Sequence, residues 1–401
     1  MAELLLRVGS PDRALLGGLM LGAVPPPALP DRVVVDAHVA ASTDALSAIA
    51  RTAGVPFMVD PQTHYLQDRQ HSADAWSLLT FATPAALTPA DLGPARQQQL
   101  IEQALAFQLE HGATQLIVPG VHIEGSDDGW TQVQLGLLRR ARRYLDRERI
   151  RLPVSAPIHL SWRLLAMPVW EQALEPLRRA ALELGAAELL LAAGKSDKGV
   201  RPDDRLADLI AVIAHLRRDL PVVAWQQGTL GEACVAGGAA GYECGIGWRE
   251  TCDLRGASAG HRSAPATDPP LGRRPVYVHR LRRSLPARSV EALSAYPRLR
   301  ALLTCPDYDC CPDGASTLLG DARHHAVLAR ARSMQTLSLI QRQSWRWASL
   351  ATDTEQGLLL AERINRLAGT NTAVNRVDTG ALRAIHDQAL VRRRSRRRLA
   401  A

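Results

Sequence analysis

Aromatic residues make up only 4% of the 401-residue chain, and lysine is scarce beside arginine. Without aromatics, leucine and alanine carry the apolar share, which favours helices packed on aliphatic strands. No uninterrupted apolar run reaches the eighteen or so residues of a membrane span, so no spanning segment is expected. A secretory leader is equally hard to find: Arg7, Asp12 and Arg13 interrupt the apolar N-terminal stretch, and the triple proline at 25–27 spoils an apolar core. The stretch reads as a chain start, with a signal peptide as the alternative. The expectation that follows is a cytoplasmic protein with reduced cysteines.

At 22% charged and 46% apolar, the composition is that of an ordinary globular protein. Its length suits one (β/α) barrel with an appendage. The net charge of +8 is concentrated at the end, in Arg392–Arg394 and Arg396–Arg398. Such a run suits nucleic acid or another acidic surface, or else is a solvated helix end.

Short apolar runs alternate with helical patterns along most of the chain. Strands are expected at 32–38, 56–60, 114–120, 153–159, 188–194, 221–228, 241–247 and 275–280, with helices between them. This rhythm predicts a TIM-type (β/α)8 barrel over residues 1–300. The Gly-, Ser-, Pro- and Arg-rich segment 248–274 then becomes a long loop after the seventh strand. Residues 301–401 read as a zinc-binding helical subdomain with a basic tail. A short strand, ALLTC, enters it, and helices follow at 321–341, 354–368 and 379–396.

Polar residues at the strand ends converge on one barrel mouth. They are Asp36, His38, Asp60, Gln62, His64, His122, His159, Lys195, Gln226, Gln227, Glu243, His279 and Arg280. Asp36, His38, His159 and His279 would suit a metal-dependent hydrolase of a small molecule. The His-x-His pair typical of the first strand of amidohydrolases is broken, however, with Ala40 at its second position.

Half of the six cysteines fall in Cys305-Pro-Asp-Tyr-Asp-Cys310-Cys311, and His324-His325 follows. Thiolates with an imidazole suit a closed tetrahedral zinc shell. The candidate ligands are Cys305, Cys310, Cys311 and one of the two histidines, His325 for preference. The competing reading is a buried thiol cluster beside a surface histidine pair.

Taken together, VVAWQQG at 222–228, GYECGIG at 241–247, the Cys-rich element and DARHHAVLARARSM at 321–334 resemble the tRNA-guanine transglycosylase superfamily, including its relatives that insert 7-deazaguanines into DNA. The resemblance implies base exchange in DNA or tRNA, with a structural Zn2+ after a TIM barrel. It makes Asp60 the acid or base on the nucleobase and Glu243 the nucleophile on the ribosyl carbon. Gln226, Gln227 and Gly228 would bind the base, with His279 and Arg280 as further substrate contacts, and Arg280, Arg282 and Arg283 could reach phosphates. A homodimer or partner proteins could complete the assembly. Glu stands where the family has Asp, and C-x4-C-C replaces C-x-C-x2-C. A non-catalytic nucleic-acid-binding protein is the remaining alternative.

Overall fold

A computed structural model describes residues 2–22, 28–198, 202–264 and 274–397, with side chains as far as Arg393. The triple proline and most of the terminal arginine run therefore lie outside the described side chains.

The barrel starts earlier than the sequence suggests. Glu3–Val8 is its first strand, β1. Six residues are too few to show a period, and Leu4-Leu-Leu6 reads as well for a leader as for a strand buried on both faces. The chain continues through α1 (Arg13–Leu21), β2 (Arg32–Asp36), α2 (Ala45–Ala53), β3 (Phe57–Asp60), α3 (Pro94–Glu110), β4 (Leu116–Ile117) and α4 (Trp130–Arg147). Next come β5 (Val154–Ser161), α5 (Trp170–Leu184), β6 (Glu188–Gly194), α6 (Pro202–Leu216), β7 (Val222–Ala224), α7 (Gly231–Gly237) and β8 (Gly241–Gly245). These strands pair in parallel in the order β3-β2-β1-β8-β7-β6-β5-β4. A bridge between Met58 and Gln115 joins the ends of that order. The fold is a TIM-type (β/α)8 barrel with a C-terminal helical region.

The expected eighth strand, 275–280, is not part of the ring. Val276–Val278 (β9) turns back through His279–Leu281 and pairs antiparallel with Arg283–Leu285 (β10). Arg282, at φ 53°, makes the left-handed turn that a hairpin needs. The segment 248–274 consequently follows the eighth strand, not the seventh. ALLTC is not a strand either: Pro297, pre-set for a first helical turn, starts a helix that runs to Leu303.

The C-terminal region is not laid beside a finished barrel. Its helix α8 (Ala322–Leu339) packs on β1, α1 and α7, filling the eighth place in the helical layer. Helices α9 (Gln343–Ala368) and α10 (Gly380–Arg397) pack on each other, α9 against α7 and α10 against α6. No helix among the described residues is long and apolar enough to cross a membrane.

Strand alternation sorts the barrel interior into layers. At the N-terminal end, Arg32 donates to Glu188 at 2.6 and 2.8 Å, and Gln115 bridges Glu188 to Ser155. Above it lies an apolar layer that includes Leu5, Val34, Met58, Ile117, Leu190 and Val223. The C-terminal end is charged again, and it forms the mouth.

Candidate active site

Arg7 is the centre of that mouth. Two residues beyond Leu5 on β1, it must point into the same interior. Its Nε donates to Glu243 Oε1 at 2.8 Å and its Nη2 to Asp60 Oδ2 at 2.8 Å, while Nη1 donates to Asp36. The guanidinium carbon stands 5.2 Å from the centre of the Trp225 ring. Arg249 pairs with the other oxygen of Asp36. Two cations thus hold three carboxylates in a region where an unpaired charge would be costly.

The two carboxylates proposed from the resemblance, Asp60 and Glu243, therefore share one pocket and one cation. They are not equally reachable. Glu243 has no exposed side-chain surface, and its second oxygen accepts from the Gln226 backbone N–H at 2.9 Å. Burial pushes the Glu243 carboxyl up, against the pull of Arg7. Asp60 keeps 5% of its side-chain surface exposed, with Oδ1 accepting from the Gln62 N–H. Burial would also raise Asp36, but Arg249 and Arg7 outweigh it and hold that carboxyl at about 2.

Histidines line the rest of the mouth. His64 and His159 meet edge to face, 5.5 Å between ring centres. Burial lowers His159 and His122 to about 4 and His64 well below its ordinary value, so all three are neutral at pH 7. Neither nitrogen of His64 has a hydrogen-bond partner among the described residues, nor does Nδ1 of His122 or His159. Buried imidazoles in this state are groups a substrate could engage. His38 is likewise lowered by burial.

The backbone is strained around the same opening. Gln62, Lys195, Gln226 and Arg249 have φ of 52°, 60°, 57° and 54°, and each follows a barrel strand. Left-handed conformations at non-glycine residues cluster where function holds them in place.

The other expected substrate contacts divide. Gln227 donates its side-chain N–H to the Ala193 carbonyl at 2.9 Å, beside the mouth. Gly228 serves packing: a Cβ there would come within 2.7 Å of the Cys244 Cβ. His279 and Arg280 are not in the mouth, because their segment is the β9–β10 turn. They line a cavity of about 220 Å³ next to Cys305. Arg280 donates to Gln356 at 2.7 Å, Arg282 pairs with Glu232 and Asp353, and Arg283 donates to the Asp378 carbonyl. Arg282 is buried and the other two half-buried, and their partners lie on α7, on α9 and just before α10, not in the barrel mouth.

Beside that turn lies the cysteine cluster. Ligand atoms of Cys305, Cys310, Cys311 and His325 all fall within 4.8 Å of one another, the one such group of His, Cys, Asp and Glu found among the described residues. His325 Nδ1 is 3.3 Å from the sulfurs of both Cys310 and Cys311. Its Nε2 faces the Tyr277 carbonyl at 2.9 Å, which fixes the tautomer and leaves Nδ1 for a metal. The donor set fits a tetrahedral Zn2+, with His325 rather than His324 as the fourth ligand. Cys305, Cys310 and Cys311 precede α8, His325 lies within it, and Tyr277 belongs to β9, so an ion here would tie hairpin, loop and eighth helix together.

No family model and no curated protein matches the chain. Among solved structures it is similar to deoxyribose phosphate aldolase from Aeropyrum pernix, at 13% identity and TM-score 0.36 over 64% of this chain and 90% of that one. It is similar also to orotidine 5'-monophosphate decarboxylase from Metallosphaera sedula, at 13% identity and TM-score 0.33 over 65% and 96%. A third is 3-hexulose-6-phosphate synthase from Salmonella typhimurium, at 14% identity and TM-score 0.31 over 65% and 96%. Likenesses this distant add nothing to the barrel traced above and carry no activity over to it.

Proposed function

We propose that the protein is an enzyme of the base-exchanging transglycosylase type, replacing a nucleobase in DNA or tRNA by a 7-deazaguanine at the barrel mouth. One observation carries the reading: Asp60 and Glu243, from β3 and β8, converge on the guanidinium of Arg7. The Cys3His cluster at the start of the eighth helix agrees with it.

The chemistry needs one ionised carboxylate and one proton donor. Arg7 keeps Glu243 charged, while burial makes the same carboxylate more basic than a solvated one. An oxygen of Glu243 bonds to the anomeric carbon as the glycosidic bond breaks, and the bonding pair leaves with the base. Once Arg7 turns aside from it, Asp60 takes a proton from solvent and passes it to the departing base. The incoming 7-deazaguanine then returns a proton to Asp60, and its ring nitrogen displaces Glu243 from the same carbon. For Glu243 to reach the sugar, Arg7 has to turn aside, because the arginine covers it. A nucleotide flipped out of its strand would enter between β3 and β8.

The hydrolase reading loses support, because His279 stands at the cysteine cavity and cannot join Asp36, His38 and His159.

Incubating the protein with nucleic acid and labelled 7-deazaguanine tests the proposal. Incorporation that is abolished in both Asp60→Asn and Glu243→Gln, each with a native circular dichroism spectrum, is the expected result. Full incorporation by Glu243→Gln would remove it as the nucleophile, and no incorporation by the wild type into DNA or tRNA would overturn the reading.

A further inference from the structure

A second cleft of about 130 Å³ opens at the ends of β5 and β6, lined by His122, Glu124, Arg163, Lys195, Asp253 and Arg255 among others. We infer that it binds a phosphate group, held by Arg163, Lys195, Arg255 and His122. Assigning that phosphate to a nucleic-acid backbone rests on the function proposed above; the phosphate site itself does not.

Charge is the first argument. Three cations face two carboxylates across the cleft, leaving a positive balance. Geometry is the second, because those ion pairs are loose. Lys195 Nζ is 3.7 Å from Asp253, and Arg163 and Arg255 approach the single carboxylate of Glu124 at 3.7 and 3.3 Å. Such separations exceed a charge-assisted hydrogen bond, in contrast to the 2.8 Å contacts from Arg7 to Glu243 and Asp60. A phosphate with several acceptor oxygens would satisfy all three cations better than Glu124 and Asp253 do.

His122 supplies an independent observation. It lines the cleft, is 3% exposed, and its Nδ1 has no hydrogen-bond partner among the described residues. The Leu160 carbonyl engages the ring. Glu124 Oε1 stands 3.8 Å from that nitrogen, beyond hydrogen-bond reach, and a phosphate oxygen lying closer would favour the imidazolium and turn Nδ1 into a donor.

Lys195 is also braced for a task. Its left-handed backbone is pinned on one side by its N–H to the Cys252 carbonyl at 2.7 Å, and on the other by Arg205, which donates to the Lys195 carbonyl at 2.9 Å. Arg205 in turn lies 3.6 Å over the ring of Trp162 on the cleft wall.

The cleft adjoins the mouth through His122. The short strand His122–Ile123 pairs in parallel with β5 and sets His122 opposite His159, which lies against His64 and senses the charge of Asp60. On the function proposed above, a phosphate held here would belong to the same ligand whose reacting end meets Asp60.

Calorimetric titration of the full-length protein with inorganic phosphate, and separately with a short single-stranded oligonucleotide, decides the matter. Lys195→Ala and Arg255→Ala should each weaken phosphate binding about tenfold, and Arg366→Ala, on the exposed side of α9, should not. Side chains 163, 195 and 255 are about half or more exposed, so their removal leaves the core untouched. Phosphate should also compete with the oligonucleotide. Absence of phosphate binding at millimolar concentration, or binding that survives the Lys195→Ala/Arg255→Ala double substitution, overturns the site. Phosphate binding lost in the variants but not displaced by oligonucleotide supports the site and gives it to a free phosphate ester. Oligonucleotide binding indifferent to phosphate and to both variants removes the cleft as a backbone contact, and leaves base exchange to stand on its own assay.

Discussion

Arg7 Nε lies 2.8 Å from Glu243 Oε1, joining the first strand of the barrel to the last. The pair is buried completely and is continuous with Asp60 and Asp36, so its value lies in mutual compensation, not in any single contact. Arg7→Met would leave three carboxylates facing one another with only Arg249 nearby. The expected loss is about 3–5 kcal/mol in urea unfolding, the usual effect of stranding one side of a buried pair. The Arg7→Met/Glu243→Leu double variant should recover part of it, because the deepest carboxylate is gone. A loss below about 1 kcal/mol for Arg7→Met would mean that the network contributes little.

Asp36 makes the acid limb of stability predictable. Its folded-state value of about 2 lies below the ordinary 3.8, so the folded protein binds fewer protons than the unfolded chain between those values. Its contribution is therefore complete above pH 4 and lost as pH falls through about 2. The two values differ enough for about 2 kcal/mol. Glu243 has the opposite sign: its raised value makes the folded protein take up that proton first, so this group adds stability as pH falls toward 4.5, above the Asp36 window. Urea unfolding from pH 6 to pH 2 should show the drop below pH 4, and Asp36→Asn should lack it.

How the mouth was legible, and where it was not, follows from β1. The runs RVVVD and FMVD end in carboxylates and read directly as strands that deliver polar groups to a barrel end, which brings Asp36, Asp60 and Glu243 together. Arg7 reads only as an interruption of an apolar stretch. Once Leu5 faces the interior, Arg7 must as well, so strand alternation along ELLLRV is the one sequence signal that places it there. Without β1, the ring is completed by the wrong segment, and His279 and Arg280 are carried into the mouth with it. Arg249 shows no signal in sequence, because its position depends on a left-handed turn. The cysteine cluster was easier, since three of its ligands are local. The helix face supports the preference for His325, because it turns that Nδ1 to 3.3 Å from the Cys310 and Cys311 sulfurs.

Metal content tests that choice. One zinc per chain is expected, lost in Cys310→Ser and in His325→Asn and retained in His324→Ala. Because the cluster joins β9 to α8, and α8 completes the barrel wall, chelation should lower the melting temperature and expose the eighth-helix interface to protease. Zinc that stays bound in His325→Asn would place the fourth ligand elsewhere.

The strained rim gives the last prediction. At an ordinary helical or extended position, glycine is less stable than alanine by roughly 0.5–1 kcal/mol. Gln226 sits at φ 57°, where a Cβ crowds the following carbonyl at a cost of about 1–2 kcal/mol. The order should therefore invert, with Gln226→Gly more stable than Gln226→Ala by about 1 kcal/mol, although both lose the same side chain. The backbone N–H of Gln226 still has to reach Glu243 Oε2 in either variant. If the left-handed turn exists to aim that N–H, the freer glycine should gain stability and lose activity relative to alanine. Equal activity in the two would leave the turn a matter of packing alone.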